Sequence, residues 1–272
     1  MALTYLYVPG DRPDRFDKAA RSGADVVVID LEDAVAARHK PAARENARQW
    51  LHTAASGRAE LRVNSLRTPW GAADLEMVAE LPALRIVRVP KVESKQDAYA
   101  VLKQVGDDVQ LHCLIESALG VENAFDIASA DPRIGGLALG EADLSSDLGI
   151  TDEDGLLWAR SRIVVAARAA GLPPPVMSVY PYVGDLDGLA RSCRRGRELG
   201  FCGRSAIHPS QLETIRDTFT PTDEEVAAAK ELLDSLENAE HGVTLLPDGR
   251  MADPAMIGNA RRILDLARDS HT

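Results

Sequence analysis

Eight short β-rich segments alternate with helical stretches over about the first 215 residues, and this repetition predicts a TIM (β/α)8 barrel with additional C-terminal helices. Two further observations support that fold class. The span is close to the roughly 250 residues usual for such a barrel. The first strand is not followed by a Gly-x-Gly-x-x-Gly turn, which removes the usual reason to expect a dinucleotide fold. A doubly wound sheet stays the main competitor, because alternation alone does not show whether the sheet closes.

The strands are expected at Thr4 to Val8, Asp25 to Asp30, Glu60 to Asn64, Arg85 to Val89, Val109 to Ile115, Gly136 to Leu139, Val176 to Val179 and Arg204 to Ile207. Helices are expected between them at Pro41 to Thr53, Gly71 to Glu80, Lys95 to Val105, Gly120 to Ala128, Leu156 to Ala170 and Leu186 to Leu199. The Pro173 to Pro175 run gives a stiff, extended lead into the seventh strand. No composition break interrupts this part, so residues 1–219 read as one catalytic domain. Residues 220–272 read as a helical extension: a helix begins at Thr222, a turn follows at Leu246 to Gly249, and Asp253-Pro254 opens a last helix.

The chain has 272 residues, 45% hydrophobic and 4% aromatic, with a net charge of −11. A core of this size needs no disulfide or metal to hold it. The longest apolar runs fall far short of the roughly 20 residues of a membrane helix, and the N-terminus lacks a signal-peptide pattern. A cytoplasmic protein with no membrane partner is the expectation. Cys113, Cys193 and Cys202 have no Cys-x-x-Cys spacing and imply neither a disulfide framework nor structural zinc. An acidic chain poor in aromatic residues lacks the charge and the stacking platforms of a nucleic-acid binder.

In a barrel, catalytic groups gather where the strands end. Strand two runs into Asp30-Leu31-Glu32-Asp33, strand three carries Arg62 and Asn64, strand four ends at Pro90-Lys91, strand five at Glu116, strand six at Gly140-Glu141-Ala142-Asp143 and strand eight at His208. Glu116 and Asp143 lie one βα unit apart, and their carboxylates can converge on one cation from neighbouring strands. All-oxygen ligation favours Mg²⁺ or Mn²⁺ over zinc. Spacing alone equally allows a carboxylate at a helix start and an N-cap. Arg62 suits a substrate carboxylate or an enolate, or else a pair with Glu32 or another rim acid. Lys91 ranks as a charge partner before a Schiff-base lysine, and His208 as a general base or a structural hydrogen bond. Gly10 and Gly140 let backbone approach a ligand.

The stretches "YVPGDRPDRFDKAARSGADVVVIDLEDAV", "RVNS", "VPKVES", "LIESALGVENA", "LGEADLSSDLG", "AIHPSQ" and "DGRMADPAM" together resemble the citrate lyase β-subunit-like branch of the HpcH/HpaI aldolase superfamily. That resemblance implies a barrel with extra C-terminal helices, a homotrimer or hexamer, and Mg²⁺-dependent cleavage or formation of a carbon–carbon bond between an acyl thioester and a 2-oxo acid. It makes Glu116 and Asp143 the metal ligands, with Glu116 also bordering the substrate, and Arg62 the substrate-binding arginine. Asp253 matches an aspartate that reaches an adjacent subunit's site as acid/base. Arg12, Asn64 and Lys91 join Arg62 as expected contacts to the anionic substrate.

Two departures from the family pattern are visible: Glu141 stands one place earlier than the usual Gly-Ala-Glu-Asp-Leu order, and Ser117 replaces a common threonine. The implied substrate is a 3-hydroxyacyl-CoA such as malyl-CoA or citramalyl-CoA. Alternatives are a citrate lyase β subunit acting on a citryl group held by acyl carrier protein, an acyl-CoA thioesterase, and a non-catalytic acyl-CoA-binding protein.

Overall fold

A computed structural model describes residues 1–53, 58–238, 242–246 and 248–269. The chain divides into two compact units, residues 2–216 and residues 217–272 together with Met1. The first is built on a curled, seven-stranded parallel sheet. Its strands are β1 (Thr4–Pro9), β2 (Val26–Asp30), β3 (Ala59–Arg62), β4 (Ile86–Val89), β5 (Gln110–Ile115), β6 (Ile134–Leu139) and β7 (Arg204–Ala206). They run in the order β6-β5-β4-β3-β2-β1-β7. Helices follow the strands at Lys40–Thr53, Gly71–Ala79, Lys95–Leu102, Glu141–Leu148, Leu157–Ala169 and Leu186–Glu198. The helix expected at 120–128 is two short ones, Ala118–Glu122 and Ala124–Ala128.

The seventh strand of the expected barrel, Val176 to Val179, does not form a ladder, whereas the eighth forms as β7. The place of the seventh is taken by two single-residue parallel bridges, Val176 to Ala138 of β6 and Met177 to Arg204 of β7. The lead into it explains the reduction. Pro174 and Pro175 have no N–H to donate, and the Pro175 carbonyl is used by the Cys202 N–H at 3.1 Å. The result is an incomplete barrel of seven strands rather than the eight expected.

Alternation along the strands sorts their side chains by face. Ile29, Leu61, Val87, Leu111, Cys113 and Ile115 are buried toward the helices, against Ala43, Leu75, Ala98, Ile127 and Ile163. Each large apolar side chain on that face contributes about 1.5–3 kcal/mol by leaving water. The opposite, concave face is polar over much of its length, carrying Asp30, Glu60, Arg62, Arg88 and His112. One end is closed by an apolar cluster, which includes Tyr5, Val26, Val28, Val176 and Cys202.

In the second unit, helices Asp223–Glu237 and Ile257–Asp269 pack together. A capping box between Thr222 and Glu225 starts the first of them. A two-stranded hairpin, β8 (Thr244–Leu245) with β9 (Met251–Ala252), turns at Gly249, whose φ of 84° lies in the left-handed region. No helix among the described residues is long and apolar enough to cross a membrane.

Candidate active site

Two charged groups meet where the strands of the large unit end. The first is centred on Arg62. Asp30 and Arg62 end β2 and β3 as register partners, so their side chains leave the same face of the sheet. The Arg62 Nε and Nη2 atoms each donate to Asp30 at 2.7 Å, a two-pronged clamp. Nη1 faces Glu32 at 3.0 Å and Asp33 at 3.2 Å, and the Tyr7 ring lies 5.1 Å from the guanidinium. Burial works against the charge of Arg62, but Asp30 more than offsets it and raises its pKa. Asp30 also accepts from the backbone N–H groups of Glu32 and Ala34, which shapes the turn carrying Glu32 and Asp33.

The second group gathers around Lys91. Its Nζ lies 3.1 Å from Glu32, 3.5 Å from Glu116 and 3.5 Å from Asp143. Glu116 follows the last residue of β5, and Asp143 stands in the first turn of the helix after β6. Two carboxylates from neighbouring strands therefore reach one cation. Burial raises the Glu116 pKa, with Lys91 opposing and Asp143 reinforcing the rise. Burial likewise pushes Glu32 up to about 7, against the pull of Arg62 and with a further push from Glu116 and Asp33. Burial depresses Lys91, yet Glu116 and Glu32 outweigh it and its pKa rises.

The backbone is fitted to these side chains. Lys91 has φ of 57°, the single non-glycine residue with positive φ among the described residues. That conformation is strained for a residue with a Cβ. It lets the Lys91 N–H donate to Glu116 Oε2 at 3.1 Å. Gly140 is fixed by the same carboxylate, because a Cβ there would collide with Glu116 Cγ and Oε1. Sequence reading could see the glycine but not the clash that requires it.

Beside these groups lies a cavity of about 350 Å³, whose wall includes Tyr7, Arg62, Arg88, Glu116, Asp143 and Ser205. Arg88 and Tyr7 were not among the residues singled out from the sequence. Arg88 sits in an otherwise apolar strand, and its significance depends on the polar concave face that only the fold reveals.

The other expected residues are placed elsewhere. Asn64 does not line the cavity. β3 ends at Arg62, so the strand alternation that would align the two side chains lapses. The Asn64 amide donates to Leu31 O and Asp74, and its oxygen accepts from Lys40 at 2.6 Å. Arg12 is exposed and turned onto Asp14 at 3.1 Å. His208 accepts from the Ser210 N–H as the cap of a short 3-10 helix. Glu141 lines the cavity as well, but its carboxylate clamps the buried Arg160 at 2.7 and 2.8 Å. Asp253 belongs to the second unit, where it accepts from the Ala255 N–H at 2.8 Å as an N-cap.

The donors at the mouth fit a hard cation: carboxylate oxygens without sulfur or imidazole beside them. Among the described residues no group of three or more His, Cys, Asp or Glu is arranged as a complete metal site. Two carboxylates with water and substrate filling the remaining positions is a common arrangement for Mg²⁺.

A parallel α/β sheet with charged groups converging beyond its strand ends defines an enzyme of the class whose chemistry sits at that face. More narrowly, the chain belongs to the HpcH/HpaI aldolase/citrate lyase family, whose model matches residues 3–209. It is 38% identical over 267 residues to a (3S)-malyl-CoA thioesterase of Cereibacter sphaeroides, covering 95% of this chain and 92% of the relative. It is 34% identical over 295 residues to an L-malyl-CoA/beta-methylmalyl-CoA lyase of Rhodobacter capsulatus, again covering 95% and 92%. A crystal structure of the CitE protein of Mycobacterium tuberculosis with magnesium, acetoacetate and coenzyme A superposes with a TM-score of 0.86 at 33% identity, covering 98% of both chains.

Proposed function

We propose that the protein is a magnesium-dependent carbon–carbon lyase that splits a 3-hydroxyacyl-CoA thioester of the malyl-CoA or citramalyl-CoA type into an acyl-CoA and a 2-oxo acid, or joins them. The observation that carries this reading is the convergence of Glu116 and Asp143 on one cation position beside the clamped Arg62. It is supported by the lyase relative and by the magnesium, acetoacetate and coenzyme A held by the CitE structure.

Glu116 and Asp143 would hold Mg²⁺, which supplies Lewis-acid polarisation of the substrate's hydroxyl and carboxylate oxygens. Arg62 presents its charge at the cavity wall with two nitrogens fixed by Asp30. Nη1, which faces Glu32 at 3.0 Å and Asp33 at 3.2 Å, would exchange one of these acids for the oxygen of a thioester enolate. Asp30 acts as a positioning residue, because it sets the plane of that guanidinium. Lys91 balances the acidic mouth, and its long stem lets the ammonium shift as an anionic substrate arrives. Asp253 of a neighbouring copy would deliver the proton to the enolate carbon, or remove it in the joining direction. That assignment goes with a homotrimer or hexamer acting in the cytoplasm. Val176 and Met177 are the natural eighth stave of a closed barrel in this reading.

A second reading, hydrolysis of the same thioester, is favoured by the thioesterase relative at 38% identity. One experiment separates them. Purified protein with Mg²⁺ is given acetyl-CoA or propionyl-CoA with glyoxylate, pyruvate or oxaloacetate and, separately, malyl-CoA or citramalyl-CoA. A lyase forms the longer acyl-CoA and keeps CoA esterified, whereas a thioesterase releases the free thiol. Absence of any condensation product across these pairs overturns the lyase reading.

A further inference from the structure

The wall of the cavity contains a second arginine that the reaction above does not use. Arg88 is 2% exposed and lies next to Arg62 in register, on β4. Its Nε donates to Glu60, and Glu60 also faces His112 Nδ1 at 3.4 Å. The guanidinium stacks between tyrosines, 4.8 Å from the Tyr5 ring centre and 5.8 Å from that of Tyr7. Neither Nη nitrogen has a hydrogen-bond partner among the described residues, and neither is sealed away from the cavity as an unsatisfied buried atom.

Other groups around Arg88 share this lack of partners. Tyr7, Ser178 and Ser205 also line the cavity, and no hydrogen bond is made by their hydroxyls among the described residues. Glu60, the one carboxylate beside Arg88, is already engaged by Arg88 and His112. Five carboxyl groups surround the mouth, whereas this region offers spare donors and no uncommitted carboxylate. A guanidinium whose two terminal nitrogens are free presents parallel N–H groups to a planar anion. Its own hydrogen bonds go unmade until such an anion arrives.

We propose that Arg88, with the hydroxyls beside it, is a specificity residue that binds a second carboxylate on the oxo-acid half of the substrate. The inference rests on the lyase reading and, of the oxo acids tested there, selects oxaloacetate, so that the thioester is of the citryl type rather than malyl-CoA or citramalyl-CoA, whose oxo acids carry one carboxylate. The 2-oxo acid formed or consumed is a dicarboxylate, with its 2-oxo carboxylate at the mouth and its distal carboxylate on Arg88. A monocarboxylic oxo acid leaves the Arg88 donors without an anion and binds more weakly.

The test compares oxaloacetate with pyruvate by calorimetry in the presence of Mg²⁺. The proteins are the wild type, Arg88→Lys and the paired Glu60→Leu/Arg88→Met, which removes both buried charges together. The wild type is expected to bind oxaloacetate about 10- to 100-fold more tightly, as the 1.5–3 kcal/mol of a hydrogen bond to a charged group implies. In both variants that ratio should fall toward one while pyruvate affinity holds. Equal affinities in the wild type, an unchanged ratio in Arg88→Lys, or equal loss of both acids in a folded variant overturns the assignment. Should the double variant fail to fold, the wild-type ratio and Arg88→Lys decide alone. Condensation with acetyl-CoA is scored separately on the wild type. Turnover without a dicarboxylate preference overturns the Arg88 assignment and leaves the lyase standing, while preference in binding without turnover does the reverse.

Discussion

Arg62 and Arg88 are register neighbours on β3 and β4, face the same concave surface and border the same cavity, yet their surroundings differ. Arg62 is paired with Asp30, Glu32 and Asp33. Arg88 has one carboxylate, Glu60, and the faces of two tyrosines. An arginine surrounded by acids adds little net charge to its site and acts through geometry. One with a single acid is neutralised as a pair but keeps free donors. The mouth as a whole remains acidic, with Asp30, Glu32, Asp33, Glu116 and Asp143 set against Arg62 and Lys91. Such an excess is met by a divalent ion more fully than by a lysine.

The largest expected effect comes from breaking the deeper pair. Glu60→Gln leaves Arg88 buried with no carboxylate, and loss of one partner of a buried pair costs about 3–5 kcal/mol. Urea unfolding at neutral pH measures it. The same pair sets an acid limit. Burial would raise the Glu60 carboxyl, but Arg88 and His112 overcome this and bring it from 4.5 down to about 2. A carboxyl depressed by folding stabilises the protein above its unfolded pKa and loses that contribution as pH falls through the folded one. Wild-type stability should therefore decline as pH drops from 4.5 toward 2 more steeply than that of Glu60→Gln. Parallel slopes in that window would remove Glu60 from the account.

At the mouth the expected losses are catalytic. Asp143→Asn keeps the shape of a half-exposed side chain and removes one anionic oxygen donor, so folding should be untouched. Mg²⁺ affinity and kcat/KM should both fall, the latter on the order of 10²- to 10³-fold, the range seen when a charge-stabilising group is lost. Full activity together with unchanged metal binding would displace Asp143 from the site. Gly140→Ala reaches the same machinery indirectly. A methyl group there overlaps Glu116 Cγ and Oε1, so the carboxylate must swing away. A 10- to 100-fold loss of Mg²⁺ affinity is expected, roughly that of disturbing a ligand's support. Calorimetric titration with the metal alone reads it, and wild-type affinity in this variant would mean that Glu116 does not depend on the close approach.

The sequence showed the strands and the acids at their ends because both rest on short-range patterns. Val26–Asp30 is an apolar run broken by charge where the strand stops, and the apolar end of Gln110–Ile115 meets Glu116 in the same way. The seventh expected strand, Val176 to Val179, failed because the two prolines before it take away donors a ladder needs, a local fact whose consequence depends on the neighbouring strands. Asn64 failed for a related reason. Its expected alignment with Arg62 assumed a strand ending two residues later than the one that forms. Arg88 and the strained Lys91 were invisible for a different reason. A charge in an apolar strand gains meaning from the face it points to, and a positive φ from the carboxylate that holds it. Those are properties of the assembled sheet.

Asp253 carries the smallest expected effect on stability, and it separates two roles that one side chain can hold together. It caps the turn that opens the last helix, with Pro254 at the first helical position. Loss of an N-cap costs about 1 kcal/mol. Asp253→Ala should speed hydrogen exchange at the amides of Ile257–Asp269 by about fivefold, the equivalent of that energy, and leave the large unit's exchange unchanged. Asp253→Asn should not, because asparagine caps as well as aspartate does. The amide cannot exchange a proton as the carboxyl does, however, so a fall in turnover for Asp253→Asn with unaltered exchange isolates the acid/base role. Equal turnover in wild type and Asp253→Asn, with exchange raised only in Asp253→Ala, would leave Asp253 as a cap and return the search for the proton donor to the cavity's own hydroxyls.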